Sequence, residues 1–173
     1  EENFVARHKN RPYVEFSHKA FYKDGRFRET TFIVESFLRT TCFERGKSHC
    51  GNCHNPHPVD APTNTRSLKF LDNPDQMCTQ CHEDYAKDPE NHTRHAVGSE
   101  GGRCTSCHMP RIMNSLLFKA ATHRIDSIPN AENALRFGSL ESPNACLLCH
   151  TNRNTEWLRK ELTHWKRSNG ATN

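Results

Sequence analysis

Apolar residues are sparse along this chain, and only two stretches repeat them at a helical interval. From Ser36 to Arg45 the pattern predicts a short helix that ends at Gly46. From Asn154 to Ser168 a second helix is predicted, with Leu158, Leu162 and Trp165 on one face. Such a stripe ordinarily packs against a core. Residues 1–28 are polar and aromatic without a clear period, and no stretch alternates as a half-buried strand does. The expected fold is therefore mostly irregular, with short α-helices and little or no β structure. No run approaches 18 apolar residues, so no membrane span is predicted.

Composition turns that sparse pattern into a physical problem. Only 34% of the 173 residues are apolar and the mean hydropathy is −0.90, against roughly 45–50% apolar in an ordinary soluble domain. Side chains alone would bury too little surface to offset the entropy of ordering the chain. Something else must fill the interior. The unusual counts are nine cysteines and twelve histidines.

Eight of the nine cysteines form four CxxC pairs, each followed at once by histidine. They are Cys50-Gly-Asn-Cys53-His54, Cys78-Thr-Gln-Cys81-His82, Cys104-Thr-Ser-Cys107-His108 and Cys146-Leu-Leu-Cys149-His150. Cysteines at i and i+3 lie on one face of a helical turn, where both can form thioethers to one porphyrin edge. The next histidine then supplies a proximal ligand to the iron. Zinc ribbons also use CxxC pairs, but they do not require a histidine after each one. Chance would place histidine after all four pairs with odds of roughly 10⁻⁵. Four covalent haem c groups are thus expected, and they would form the missing core. Proline follows the first and third motifs (Pro56, Pro110) and precedes the second and fourth (Pro74, Pro143). Asn73-Pro74 and Ser142-Pro143 read as helix starts, and the other two prolines as stops. This alternation reads as two copies of a two-haem unit, about 50–82 and 104–150. A single domain is expected: 1–46 an N-terminal segment and short helix, 47–150 the four motifs, 151–173 the C-terminal helix.

Each electron-transfer haem also needs a sixth ligand, usually histidine or methionine. Met77, Met109 and Met113 are the only methionines, and Met109 adjoins a proximal histidine. Eight histidines lie outside the motifs: His8, His18, His49, His57, His92, His95, His123 and His164. Four suffice, so bis-histidine ligation at low potential is expected throughout. The selected distal set is His57, His95, His123 and His18, with His8 next to His18 and His92 competing with His95. His49 directly precedes a haem cysteine, and His164 falls on the C-terminal helix. Cys42 reads as a small buried apolar residue of the first helix.

The stretches GKSHCGNCHNPH, HTRHAVGSEGGRCTSCHMPR, THRIDSIP and SPNACLLCHTNRNTEW resemble the C-terminal haem-rich region of multihaem cytochromes often joined to tetratricopeptide repeats, within the doubled-CxxCH group. The resemblance runs from about Phe21 to Trp157 and implies distal roles for His57, His95 and His123. The chain departs from that pattern in carrying no repeat region.

Net charge is +4, which by itself would favour nucleic acid or acidic membranes. Haem propionates would neutralise it, so no nucleic-acid partner is expected. Covalent haem attachment implies an extracytoplasmic location, at the cell surface or in the periplasm. The opening Glu1-Glu2 reads as a mature product without a leader. Electron transfer with redox partner proteins is the expected function, not enzymatic turnover. A head-to-tail homopolymer resembling extracellular cytochrome filaments competes with a soluble shuttle. In the polymer, an N-terminal histidine would complete a haem of the next copy. A nitrite or hydroxylamine reductase is the alternative, but it needs an open iron position, and spare histidines can close every site.

Overall fold

The computed structural model describes residues 20–125 and 129–168. A 3₁₀ turn over Thr30–Phe32 leads into α1 (Ile33–Leu38) and α2 (Thr41–Glu44). The motif helices α3 (Cys50–Cys53) and α4 (Gln76–Thr79) follow, then α5 (Asp84–Lys87) and α6 (Pro89–Thr93). Next come α7 (Cys104–His108), strands β1 (Arg111–Asn114) and β2 (Lys119–Ala121), and helices α8 (Glu132–Phe137), α9 (Ala145–Cys149) and α10 (Thr155–Ser168). Short helices joined by irregular chain dominate, as the sequence pattern predicts.

Two details depart from that pattern, each for a local reason. The helix expected over Ser36–Arg45 is broken in two at Thr40. This residue is extended, with φ −90° and ψ 149°. Its hydroxyl donates to the Phe37 carbonyl at 2.7 Å and accepts the Phe43 N–H at 3.2 Å. One side chain thus closes one helix and caps the next. The predicted stop at Gly46 holds, because a Cβ there would lie 2.6 Å from the Cys42 carbonyl oxygen. The second departure is a small antiparallel hairpin of β1 and β2. Its register shifts between Arg111 and Met113, and the consecutive residues Ile112 and Met113 are both buried. A bulged strand burying two neighbours in a row breaks the period-two alternation by which a strand is read.

Among the described residues, side-chain packing centres on two small clusters. Tyr22, Phe27, Ile112 and Met113 form the first, with Phe21, Phe32, Ile33 and Ala120 against it. Phe27 lies 4.7 Å from Phe21 and 4.9 Å from Phe32 between ring centres. The Tyr22 hydroxyl donates to the Ile112 carbonyl at 2.6 Å, tying the N-terminal turn to the hairpin. Ala131, Ala134 and Leu158 form the second cluster, joined by Leu135, Cys146, Leu147, Trp157 and Leu162. This is the packing expected of the Leu158–Leu162 stripe on α10. Asn154 starts that helix by accepting the Trp157 N–H at 2.9 Å. Among the described residues ten apolar ones are buried and four of these are alanines.

A buried ionic clamp joins the two ends of the described fold. Asp24 accepts from Arg26 at 2.6 Å and from the Ser142 hydroxyl at 2.6 Å, while Arg28 meets Glu141 at 2.5 Å. Arg26 also donates to the Pro143 carbonyl. Burial alone would push the Asp24 carboxyl up, but the bonds from Arg26 and Ser142 outweigh it and hold the group below its ordinary range. Ser142 thus serves the clamp, and Asn144 is the residue that caps α9, accepting the Cys146 N–H at 2.9 Å.

Candidate haem-binding site

The four motifs make one-turn helices because nothing in them sustains more. His49 precedes α3, its N–H held by the Asn52 side chain at 2.8 Å, and Asn55-Pro56 follows His54 and ends the turn. The helices meet in chain order. Gln80 after α4 donates to the Asn52 carbonyl in α3 at 3.2 Å. The Cys104 N–H at the start of α7 donates to Asp75 at 2.9 Å. The neighbouring Cys78 and Cys104 thiols influence one another, which pushes Cys78 well up and Cys104 down. Helices α7 and α9 pack directly on one another. Motifs one to four therefore touch in an unbroken series.

None of the eight motif cysteines is in a disulfide, nor is Cys42 on α2. Burial pushes the Cys53 and Cys107 thiols upward and takes Cys146 to about 11. A zinc centre needs four converging ligands and uses thiolates. Among the described residues, no three His, Cys, Asp or Glu side chains gather as a metal cluster would require.

What the structure does gather is pairs of histidines. His54 stands 6.3 Å from His123 between ring centres, with planes 22° apart. His108 stands 6.3 Å from His92 with planes 5° apart, and His150 stands 6.1 Å from His95 with planes 40° apart. An imidazole centre lies about 1.1 Å behind its coordinating nitrogen, so with metal–nitrogen bonds of about 2.0 Å a metal between two rings separates their centres by about 6.2 Å. Three motif histidines independently meet that spacing, so the residues fit an iron held between imidazoles.

Hydrogen bonds fix which ring nitrogen is available. A carbonyl only accepts, so an imidazole bonded to one must donate, which leaves its other nitrogen with the lone pair. Nδ1 of His54 bonds the Arg66 carbonyl at 3.0 Å, Nδ1 of His95 bonds Thr93 at 2.6 Å, and Nδ1 of His123 bonds Ala121 at 3.3 Å. Burial pushes His92, His108 and His123 down, keeping the rings neutral and able to ligate.

Residues 42–87 match the family model described as doubled CXXCH motif. That match supports a multihaem c-type cytochrome, a carrier of electrons whose motifs imply covalently bound haem c. It spans the first two motifs, the first copy of the two-haem unit expected from the proline alternation. No curated protein and no solved structure matches the chain.

Of the distal set read from sequence, the structure brings His95 and His123 to motif histidines. It sets His92, not His57, opposite the third. His57 is exposed, its N–H 3.3 Å from the Asn55 side chain, and among the described residues it stacks on no motif histidine. His18 and His8 lie outside the described residues. His82 is exposed, and its ring contact is with Tyr85 at 6.2 Å. His164 lies on the exposed side of α10. Met113 is buried in the first cluster and so is committed to packing. Sequence reasoning missed Gly101: a Cβ there would lie 2.3 Å from the His95 ring. The adjacent pair Gly101-Gly102 was its signal.

Proposed function

We propose that this chain is a tetrahaem electron carrier whose irons each sit between two imidazoles. Haems attach through Cys50 and Cys53, Cys78 and Cys81, Cys104 and Cys107, and Cys146 and Cys149. The axial pairs are His54 with His123, His108 with His92, and His150 with His95. His82 takes its second ligand from the segment before residue 20, His18 first and His8 next. The observation that carries this reading is the 6.1–6.3 Å spacing repeated at three of the four motifs. Bound haem supplies a one-electron ferric–ferrous couple, with bis-histidine ligation holding the potential low. The protein's part is to fix the ligands, exclude water from the pairs and keep the motifs in contact.

Contact in chain order supports electron movement along the series. The second motif is where electrons enter or leave, because Cys81 and His82 are exposed and so is the chain from there to Asp88. Its partners there are other redox proteins or further copies of the chain, arranged head to tail. No helix among the described residues is long and apolar enough to cross a membrane. We assign an extracytoplasmic location, where covalent attachment at CxxCH motifs takes place. Spare histidines leave no motif dedicated to an open iron, which favours carriage over reductase chemistry.

The test is mass spectrometry of the intact holoprotein with a pyridine haemochrome assay, followed by reductive titration. Four haems per chain, all reduced reversibly and all low-spin, is the expected result. Fewer haems, or bound zinc, would overturn the reading. Electron microscopy of the same sample separates the partners: uniform filaments assign the exposed motif to copy-to-copy contact, and discrete particles assign it to a separate redox protein.

A further inference from the structure

Six histidines make up the three pairs, and they are not held alike. His54, His95 and His123 each bond a backbone carbonyl, which fixes both tautomer and ring plane. Among the described residues His92 and His150 have no such bond. Each instead lies against one aromatic ring. Tyr85 on α5 sits 4.5 Å from His92 between centres, with planes 48° apart. Trp157 on α10 sits 5.0 Å from His150, with planes 50° apart. The two contacts share nearly the same tilted geometry on unrelated elements, with centroids inside the range of about 4.5–7 Å for aromatic contacts.

Resting on the proposed axial pairs, we infer that Tyr85 and Trp157 are positioning residues that set the plane of the ligands His92 and His150, in the role a carbonyl plays for His54, His95 and His123. An imidazole free of a hydrogen bond can turn about both its side-chain torsion and its bond to the metal. A ring tilted against its flank stops that rotation without drawing on its N–H. Packing alone does not explain Tyr85, which is 51% exposed and belongs to neither apolar cluster. An electron relay through Tyr85 between His82 and His92 is the competing role. The Cys104 N–H, bonded to Asp75 just before the second motif, already brings motifs two and three together, so a relay there is unnecessary. Trp157 adds a packing duty in the second cluster and a guanidinium from Arg153 at 5.6 Å, which makes Tyr85 the cleaner probe.

The plane of an axial imidazole splits the iron d orbitals, so electron paramagnetic resonance of the ferric protein reads it directly. The experiment compares Tyr85→Leu and Tyr85→Phe in the four-haem holoprotein, with Trp157→Phe as the second variant. Tyr85→Leu should shift or broaden one low-spin signal and move that haem's midpoint, leaving the other three unchanged. Tyr85→Phe, which keeps the ring and loses only the hydroxyl, should restore the native signal, and Trp157→Phe should spare the fourth site likewise. Unchanged spectra in Tyr85→Leu, or a Phe variant that behaves like Leu, would overturn the assignment. Haem content and the native low-spin count are read on the same samples, so a failure of the axial pairing would appear in the unaltered protein, before any variant is compared.

Discussion

His54 leaves its helix into a loop that folds back on it, whereas His82 leaves its helix into a run of exposed residues. In the first case Asn64, buried to 3% exposure, donates to the Leu68 carbonyl and accepts its N–H, both at 2.8 Å. That closes an antiparallel bridge between His54 and Leu68 and presents the Arg66 carbonyl to the imidazole. His123 then arrives from far along the chain. The second motif has no such frame: its histidine is exposed, and the ring beside it is Tyr85. Both motifs lie within the stretch that matches the doubled CXXCH family. The difference teaches that the motif encodes attachment locally, while completion of the metal site depends on whatever distant segment reaches it.

The largest effects should come from removing a distal imidazole. His123→Ala should convert one low-spin ferric haem to high-spin, read by magnetic resonance and absorbance, whereas His57→Ala should leave all four unchanged. His18→Ala should do the same to the second site. If His18→Ala and His8→Ala both leave that site low-spin, its ligand comes from elsewhere and the contrast between the motifs needs redrawing.

A somewhat smaller effect is expected where space rather than a ligand is removed. Gly101→Ala would drive a methyl into the His95 ring, so the fourth site should lose part of its low-spin signal while the first keeps all of it. Next comes Asn64→Ala, which leaves the buried Leu68 backbone N–H and C=O without partners. It should cost about 1–3 kcal/mol, seen as a lower thermal midpoint and earlier loosening of the first site than of the second.

The smallest effect concerns pH. Asp24 has a folded value below its ordinary 3.8, so the stability it contributes is fully present above about pH 4 and disappears as pH falls through the depressed value. Thermal melts should therefore weaken below pH 4, and Asp24→Asn should flatten that acid limb. Because the clamp adjoins the segment expected to serve His82, acid should disturb the second site before the first. A first site that loosens earlier would contradict that link.

Much of the site was legible because CxxCH compresses its chemistry into five residues. Cysteine spacing, the following histidine and the flanking prolines are all local, and so is the α10 stripe of Leu158 and Leu162. The bulged hairpin was not legible, since burying Ile112 beside Met113 erases alternation. Nor was the outcome of the competition between His92 and His95, which the structure sets opposite two different motif histidines. Sequence order sets His57 three residues from a motif and so makes it conspicuous. The left-handed Arg94, φ 58°, ends α6 and separates His92 from His95, so that the two rings face different motif histidines. Tertiary placement of that kind leaves no periodic trace.

The central claim is that these motifs hold iron between opposed imidazoles supplied from distant parts of one chain. Near-infrared magnetic circular dichroism of the fully oxidised, haem-loaded protein tests it most directly, because the charge-transfer energy reports the axial ligand pair. The account predicts histidine–histidine ligation at the first, third and fourth sites, with the first signal abolished in His123→Ala. A histidine–methionine or high-spin spectrum at any of those three sites in the unaltered protein would contradict it.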